Sequence, residues 1–169
     1  MHTPEQQART ELFDRIAAQL ADQRLRVAAR DESRPWGGFF VLEESDAPAF
    51  IRRYFDGVNP GDFPAGQKLS PKILIVAPHK RLSWQYHHRR AELWQVTEGP
   101  VGVARNSGDQ ETEPERLMPG ALIRLAQGER HRLVGLEGWG VVAEIWQHTD
   151  PAAPSDENDI VRLQDDFGR

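Results

Sequence analysis

The densest chemistry in this sequence lies in the run Ser83-Trp84-Gln85-Tyr86-His87-His88-Arg89-Arg90-Ala91-Glu92. In an extended strand side chains alternate, so Ser83, Gln85 and His87 share one face and Trp84, Tyr86 and His88 the other. A turn at Arg89–Ala91 returns the chain, with Glu92, Trp94 and Val96 on one face of the next strand. Downstream, Gly128-Glu129-Arg130-His131 sets a histidine just after a glycine turn, at the start of a further strand. Gln85, His87, Glu92 and His131 can then converge. Two imidazoles, a carboxylate and an amide oxygen form a four-donor set that leaves room for water or substrate. Such a set suits a divalent metal: zinc first, with manganese, cobalt or iron as alternatives. The chain has no cysteine, so thiolate ligands, thiol nucleophiles and disulfides are excluded. His88 should point away from the set, and His79, His148 and a disordered His2 carry no role.

Positioning such a set requires many short strands. From Lys72 onward, short apolar or alternating runs are separated by turn residues. They are Ile73–Ala77, Leu82–His87, Leu93–Thr97, Val101–Arg105, Ala121–Leu125, His131–Val134 and Val141–Trp146, with a last one at Ile160–Leu163. This spacing predicts an all-β sandwich or barrel. Before it, Phe39–Leu42 reads as a strand entered from the loop Asp31–Gly38. A helix is predicted over residues 4–26. Thr3 is its N-cap, Pro4 suits its first position and Gln6 completes a capping box. Ala8, Leu12, Phe13, Ile16, Ala17, Leu20 and Leu25 form its apolar stripe. Residues 46–71 look irregular, with a short helix near Ala49–Phe55. The expected domains are a helical extension over residues 1–33 and a barrel over 34–169.

Composition limits the partners. A chain of 169 residues suits one barrel-sized unit. The net charge of −5 argues against nucleic acid as the main partner. No apolar run is long enough to span a membrane, and the first residues lack the basic-then-apolar pattern of a secretory signal. A cytoplasmic protein is expected. Open sheet edges favour pairing, so a homodimer is expected too.

The spacing Gln85-x-His87-x4-Glu92-x6-Gly99, followed by Gly128-x2-His131, resembles the paired motifs of the cupin superfamily, with Gln85 in the place of the first histidine. The longer run Lys80-Arg81-Leu82-Ser83-x-Gln85-x-His87-His88-x-Arg90-Ala91-Glu92-x-Trp94 resembles the isomerase domain of type II phosphomannose isomerases. Arg34-Pro35-Trp36-Gly37, Lys72, His131-Arg132-Leu133 and the tail Asp159-Ile160-Val161-Arg162 with Asp165-Asp166-Phe167-Gly168-Arg169 agree in order. The resemblance implies a cupin-type double-stranded β-helix, a jelly-roll barrel, behind an N-terminal α-helix. It implies a metal held by Gln85, His87, Glu92 and His131. It also implies an intramolecular oxidoreductase of carbohydrate metabolism: an aldose–ketose isomerase acting on a sugar phosphate, with mannose 6-phosphate and fructose 6-phosphate as the first pair. In that reading Arg90 and Lys72 are catalytic charges, and Ser83, Lys80 and Arg81 bind substrate. The alternatives are another metal-binding cupin enzyme, such as an oxygenase or a free-sugar isomerase, and a non-catalytic sugar-binding cupin. Arg34 and Trp36 read first as packing residues. The sequence departs from the family at His79, where the first motif has Gly, at Ala126, which replaces Pro, and at Leu93, which replaces a common His. The stretch between Gly37 and Lys72 is longer than the family's and could line or lid the site. The guanylyltransferase domain often fused to this one is absent from the sequence.

Overall fold

The leading helix starts where its capping residues place it. In the computed structural model, which describes residues 3–169, α1 runs Pro4–Asp22. The Thr3 hydroxyl accepts the Gln6 N–H, and the Gln6 side chain accepts the Thr3 N–H, closing the capping box. His2 lies outside the described residues. The helix stops at Asp22, short of the expected residue 26. Arg24 takes a left-handed φ of 58°. Its N–H donates to the Ala21 carbonyl, and the Leu25 N–H donates to the Leu20 carbonyl. That pair of bonds is the usual glycine-built helix stop, made here by an arginine, so no sequence signal marks it.

The strands are β1 (Val27–Asp31), β2 (Gly37–Leu42), β3 (Lys72–Val76), β4 (Trp84–Tyr86), β5 (Arg90–Glu98), β6 (Val101–Asn106), β7 (Glu115–Leu117), β8 (Leu122–Leu125), β9 (Arg130–Gly135), β10 (Gly140–His148) and β11 (Val161–Gln164). One sheet has the order β1-β2-β3-β10-β5-β8 and the other β11-β4-β9-β6-β7. Their pairings are antiparallel. This is the all-β jelly roll with a leading helix that the sequence predicts. β1 and β7 were not expected. Both are edge strands that stay largely exposed, so neither carries a buried face to alternate.

The six-stranded sheet is covered on both faces. Leu74, Val76, Trp94, Val96 and Val142 face the second sheet and meet its Val101, Val103 and Leu133. Phe40, Ile73, Ile75, Leu93, Ala143 and Ile145 face outward onto Phe13, Ile16 and Leu20 of α1. Onto the same outer face pack Ala47, Phe50 and Ile51 of α2 (Ala47–Tyr54), the helix expected near 49–55. The extension before residue 34 thus supplies an edge strand and a helix to the sheet's own core. Leu93, in the place of a common histidine, points to this outer core. Gly37 makes the sheet's close approach, since a Cβ there would lie 1.9 Å from the Ile75 carbonyl oxygen. Among the described residues, no helix is long and apolar enough to cross a membrane.

Candidate metal centre

Three side chains meet between the two sheets at one end of the barrel. His87 follows β4, Glu92 lies early in β5, and His131 is the second residue of β9, just past the Gly128 turn. Gly128 has a φ of 75°, which lets the chain reverse tightly into β9. His87 Nε2 lies 3.1 Å from Glu92 Oε1, and His131 Nε2 lies 3.5 Å from Glu92 Oε2. Their ligating atoms all fall within 4.8 Å of one another, and the three side chains are buried. Gln85 is the cross-strand partner of His131, so the two share a face. The Ser83 hydroxyl donates to Gln85 Oε1 at 2.6 Å.

The imidazoles are oriented by the backbone. His87 Nδ1 stands 2.6 Å from the Asp159 carbonyl, and His131 Nδ1 stands 2.9 Å from the Glu129 carbonyl. A carbonyl only accepts, so each Nδ1 carries a proton and each Nε2 is directed at the cluster, where it donates to Glu92 when protonated and can offer its lone pair to a metal once that proton leaves. This outer contact is what metal-binding histidines commonly make. His131 Nε2 is buried with no hydrogen-bond partner. A buried polar atom left without a partner is costly unless something binds it. Burial opposes ionisation of Glu92, but His87, His131 and Arg90 outweigh it and hold the carboxyl well below the usual range. The two Nε2 atoms and the ionised Glu92 carboxylate form a donor set that fits a divalent metal, with Arg90 Nη2 3.4 Å from His87 Nε2 and the amide oxygen of Gln85 a fourth donor on the same face.

The segment after residue 150 braces His87. The Asp159 carboxylate accepts the His88 and Arg89 N–H groups and the Ser155 hydroxyl. Burial opposes its charge, yet these donors hold its pKa below the ordinary value. Arg90 donates to Glu92 Oε1 at 2.9 Å and to the Ser155 hydroxyl at 2.9 Å. Its guanidinium lies 4.0 Å from the Trp146 ring centroid. His88 is exposed and packs edge-on against Tyr86. His79, where the family has Gly, makes its turn with a left-handed φ of 57°.

A cavity of about 250 Å³ opens beside the cluster and is lined by Gln85, Arg90, Glu92 and Trp94. Lys72 lines it as well, with Nζ 2.9 Å from Glu157 Oε1 and over the Trp146 ring. Lys80 and Arg81 do not line it. Lys80 is exposed in the turn before β4, and Arg81 pairs with Asp166 at 2.7 Å. None of residues 42–71 lines it either, because α2 packs on the opposite face of the sheet.

Sequence reasoning missed Glu144. It lies on β10 opposite Lys72 and Trp94 and lines the cavity. Burial, and then the charge of Glu92 beside it, push its carboxyl well above the usual range, with Lys72 and Arg90 opposing. The available signal was a lone acid inside the apolar run Val141–Trp146. Arg34, Trp36, Arg162 and Arg169 also line the cavity.

The family described as mannose-6-phosphate isomerase C-terminal matches residues 55–165. Mannose-1-phosphate guanylyltransferase ManC of Salmonella typhimurium strain LT2 is 27% identical over 140 residues, covering 83% of this chain and 23% of that protein. Xanthan biosynthesis protein XanB of Xanthomonas campestris pv. campestris strain B100 is 34% identical over 104 residues, covering 62% of this chain and 21% of that protein. The chain therefore spans less than a quarter of the length of these relatives. Among solved structures, the capsular polysaccharide assembling protein CapF from Staphylococcus aureus is similar with a TM-score of 0.53 and 14% identity, over 83% of this chain and 34% of that one. KdgF from Halomonas sp. is similar with a TM-score of 0.50 and 14% identity, over 73% of this chain and 90% of that one. At these identities the likeness to solved structures speaks for the fold alone.

Proposed function

This chain belongs to the mannose-6-phosphate isomerase C-terminal family, with a cupin jelly-roll fold, and from that premise we propose that it is a metal-dependent aldose–ketose isomerase interconverting mannose 6-phosphate and fructose 6-phosphate. The observation that carries the reading is the convergence of His87 Nε2, His131 Nε2 and the Glu92 carboxylate within 4.8 Å, beside a cavity lined by cations. These three groups and Gln85 would hold a divalent cation, which would supply Lewis-acid polarisation of the substrate's oxygens.

The chain's own residues do the rest. The Asp159 and Glu129 carbonyls keep both imidazoles in the ligating tautomer. Arg90 fixes the Glu92 carboxylate and adds positive charge where an oxyanion develops. Isomerisation moves the C2 proton to C1. Glu144, in the cavity wall beside Glu92, is the group assigned to carry it: its carboxylate form takes the C2 proton and the carboxyl so formed returns it to C1, while the hydroxyl proton passes from O2 to O1. Lys72, across from Glu144, steadies the carboxylate from which the transfer starts and to which it returns. Ser83 holds the amide of Gln85 and acts on substrate through it.

The test is a coupled assay of mannose 6-phosphate conversion after chelation and after adding back zinc, manganese, cobalt or iron. Turnover that disappears on chelation and returns with one metal is the expected result. Stoichiometric metal with no turnover under any metal would discard this substrate pair.

A further inference from the structure

Two stretches of sequence remain unused by the metal set: Arg34-Pro35-Trp36-Gly37 and the C-terminal run from Asp159 to Arg169. The fold brings both to the same cavity, which Arg34, Trp36, Arg162 and Arg169 line. Arg162 on β11 is the cross-strand partner of Gln85 on β4, and Gln85 is the cross-strand partner of His131 on β9. Directly opposed residues share a face and stand about 5 Å apart. Arg162, Gln85 and His131 thus form one row, with Arg162 two strands from the histidine, about 10 Å. A phosphorylated open-chain hexose has comparable reach.

This corner is rich in positive charge that the protein neutralises only in part. Arg169 is matched by Asp165 at 2.9 Å, and Arg34 by Asp31 at 2.8 Å. Arg162 has no such match. Among the described residues no carboxylate hydrogen-bonds it, and Asp165 acts on it only as a nearby charge. Partial burial opposes its charge first, then Arg169, and Arg34 adds to both. An arginine stays protonated regardless, so the corner lacks an anion. A second observation agrees. Trp36 is 4% exposed, lines the same cavity, and its indole N–H is buried without a partner. An indole nitrogen only donates, so it too lacks an acceptor.

We infer that Arg162, flanked by Arg34 and Arg169 and joined by the Trp36 N–H, forms a subsite for the phosphate group of the substrate. The inference rests on the isomerase reading for the identity of the substrate. It relocates the phosphate from Lys80 and Arg81, which lie outside the cavity, to the mouth opposite the histidines. A guanidinium binds phosphate oxygens in pairs, which a lysine cannot reproduce.

The experiment is calorimetric titration of the metal-loaded protein with inorganic phosphate, mannose 6-phosphate and mannose, in wild type, Arg162→Ala and Arg162→Lys, with metal per chain measured in each. Wild type should bind both phosphates. Arg162→Ala should weaken both by about ten- to a hundredfold, with Arg162→Lys between and metal content unchanged. Equal phosphate affinity in Arg162→Ala, or no phosphate binding by wild type, overturns the subsite. Mannose 6-phosphate that binds through Arg162 without turnover leaves the subsite standing and removes the isomerase reading. Turnover with a KM that Arg162→Ala does not change does the reverse.

Discussion

Glu92 and Glu144 show how one cavity sets two carboxyls apart. Both are buried, and burial alone would keep both protonated. Glu92 has two imidazoles and a guanidinium against it and stays ionised. Glu144 faces that ionised neighbour and is pushed the other way. Carboxyls with separated pKa values suit separate tasks, here a ligand and a proton carrier. Glu144→Gln keeps the shape and removes the proton transfer. Its kcat should fall by about a hundredfold or more, with bound metal per chain unchanged; an unaltered kcat would return Glu144 to a structural role. His87, Glu92 and His131 were legible because strand alternation and the Gly128 turn fix which way each points. Glu144 was hidden by its apolar neighbours, and Arg162 by a polar tail whose pairing with β4 no local pattern announces.

At the scale of elements, the buried faces explain what could be read. β3, β5 and β10 meet the second sheet on one side and the helices on the other, so β3 after Lys72 is apolar throughout, β10 is mostly apolar, and β5 keeps an apolar centre at Leu93 and Trp94. β1 and β7 have no face to bury and left no pattern. The start of α1 was written in Thr3, Pro4 and Gln6, whereas its end depends on Arg24 in a conformation that sequence assigns to glycine. α1 acts as a lid on the outer core, with Phe13 fully buried against Phe40 at a ring separation of 5.6 Å. Phe13→Ala should cost about 3–5 kcal/mol of stability in denaturant unfolding. A loss under about 1 kcal/mol would mean that α1 is not needed to close this face.

For the whole molecule, the metal centre ties together parts that are distant in sequence. His131 comes from one sheet and Glu92 from the other, His87 from the connection after β4, while Asp159 braces His87 from the C-terminal segment. Metal should therefore stabilise the entire fold. At a hundredfold excess over Kd the linkage is worth about 2.7 kcal/mol, which for a chain of this size raises Tm by about 5–10 °C. Calorimetry before and after chelation checks this, and an unchanged Tm would place metal binding outside the cooperative unit. The register that builds the cavity, Gln85 on His131 and Glu144 on Lys72, joins strands far apart along the chain, and so only the assembled sheets reveal which charges meet.

The most direct test of the metal centre is elemental analysis of the purified protein beside the His87→Ala/His131→Ala double variant, with circular dichroism confirming that both are folded. One divalent metal per wild-type chain and none in the folded double variant is the predicted result. Equal metal in the two proteins would contradict a centre built on His87, Glu92 and His131.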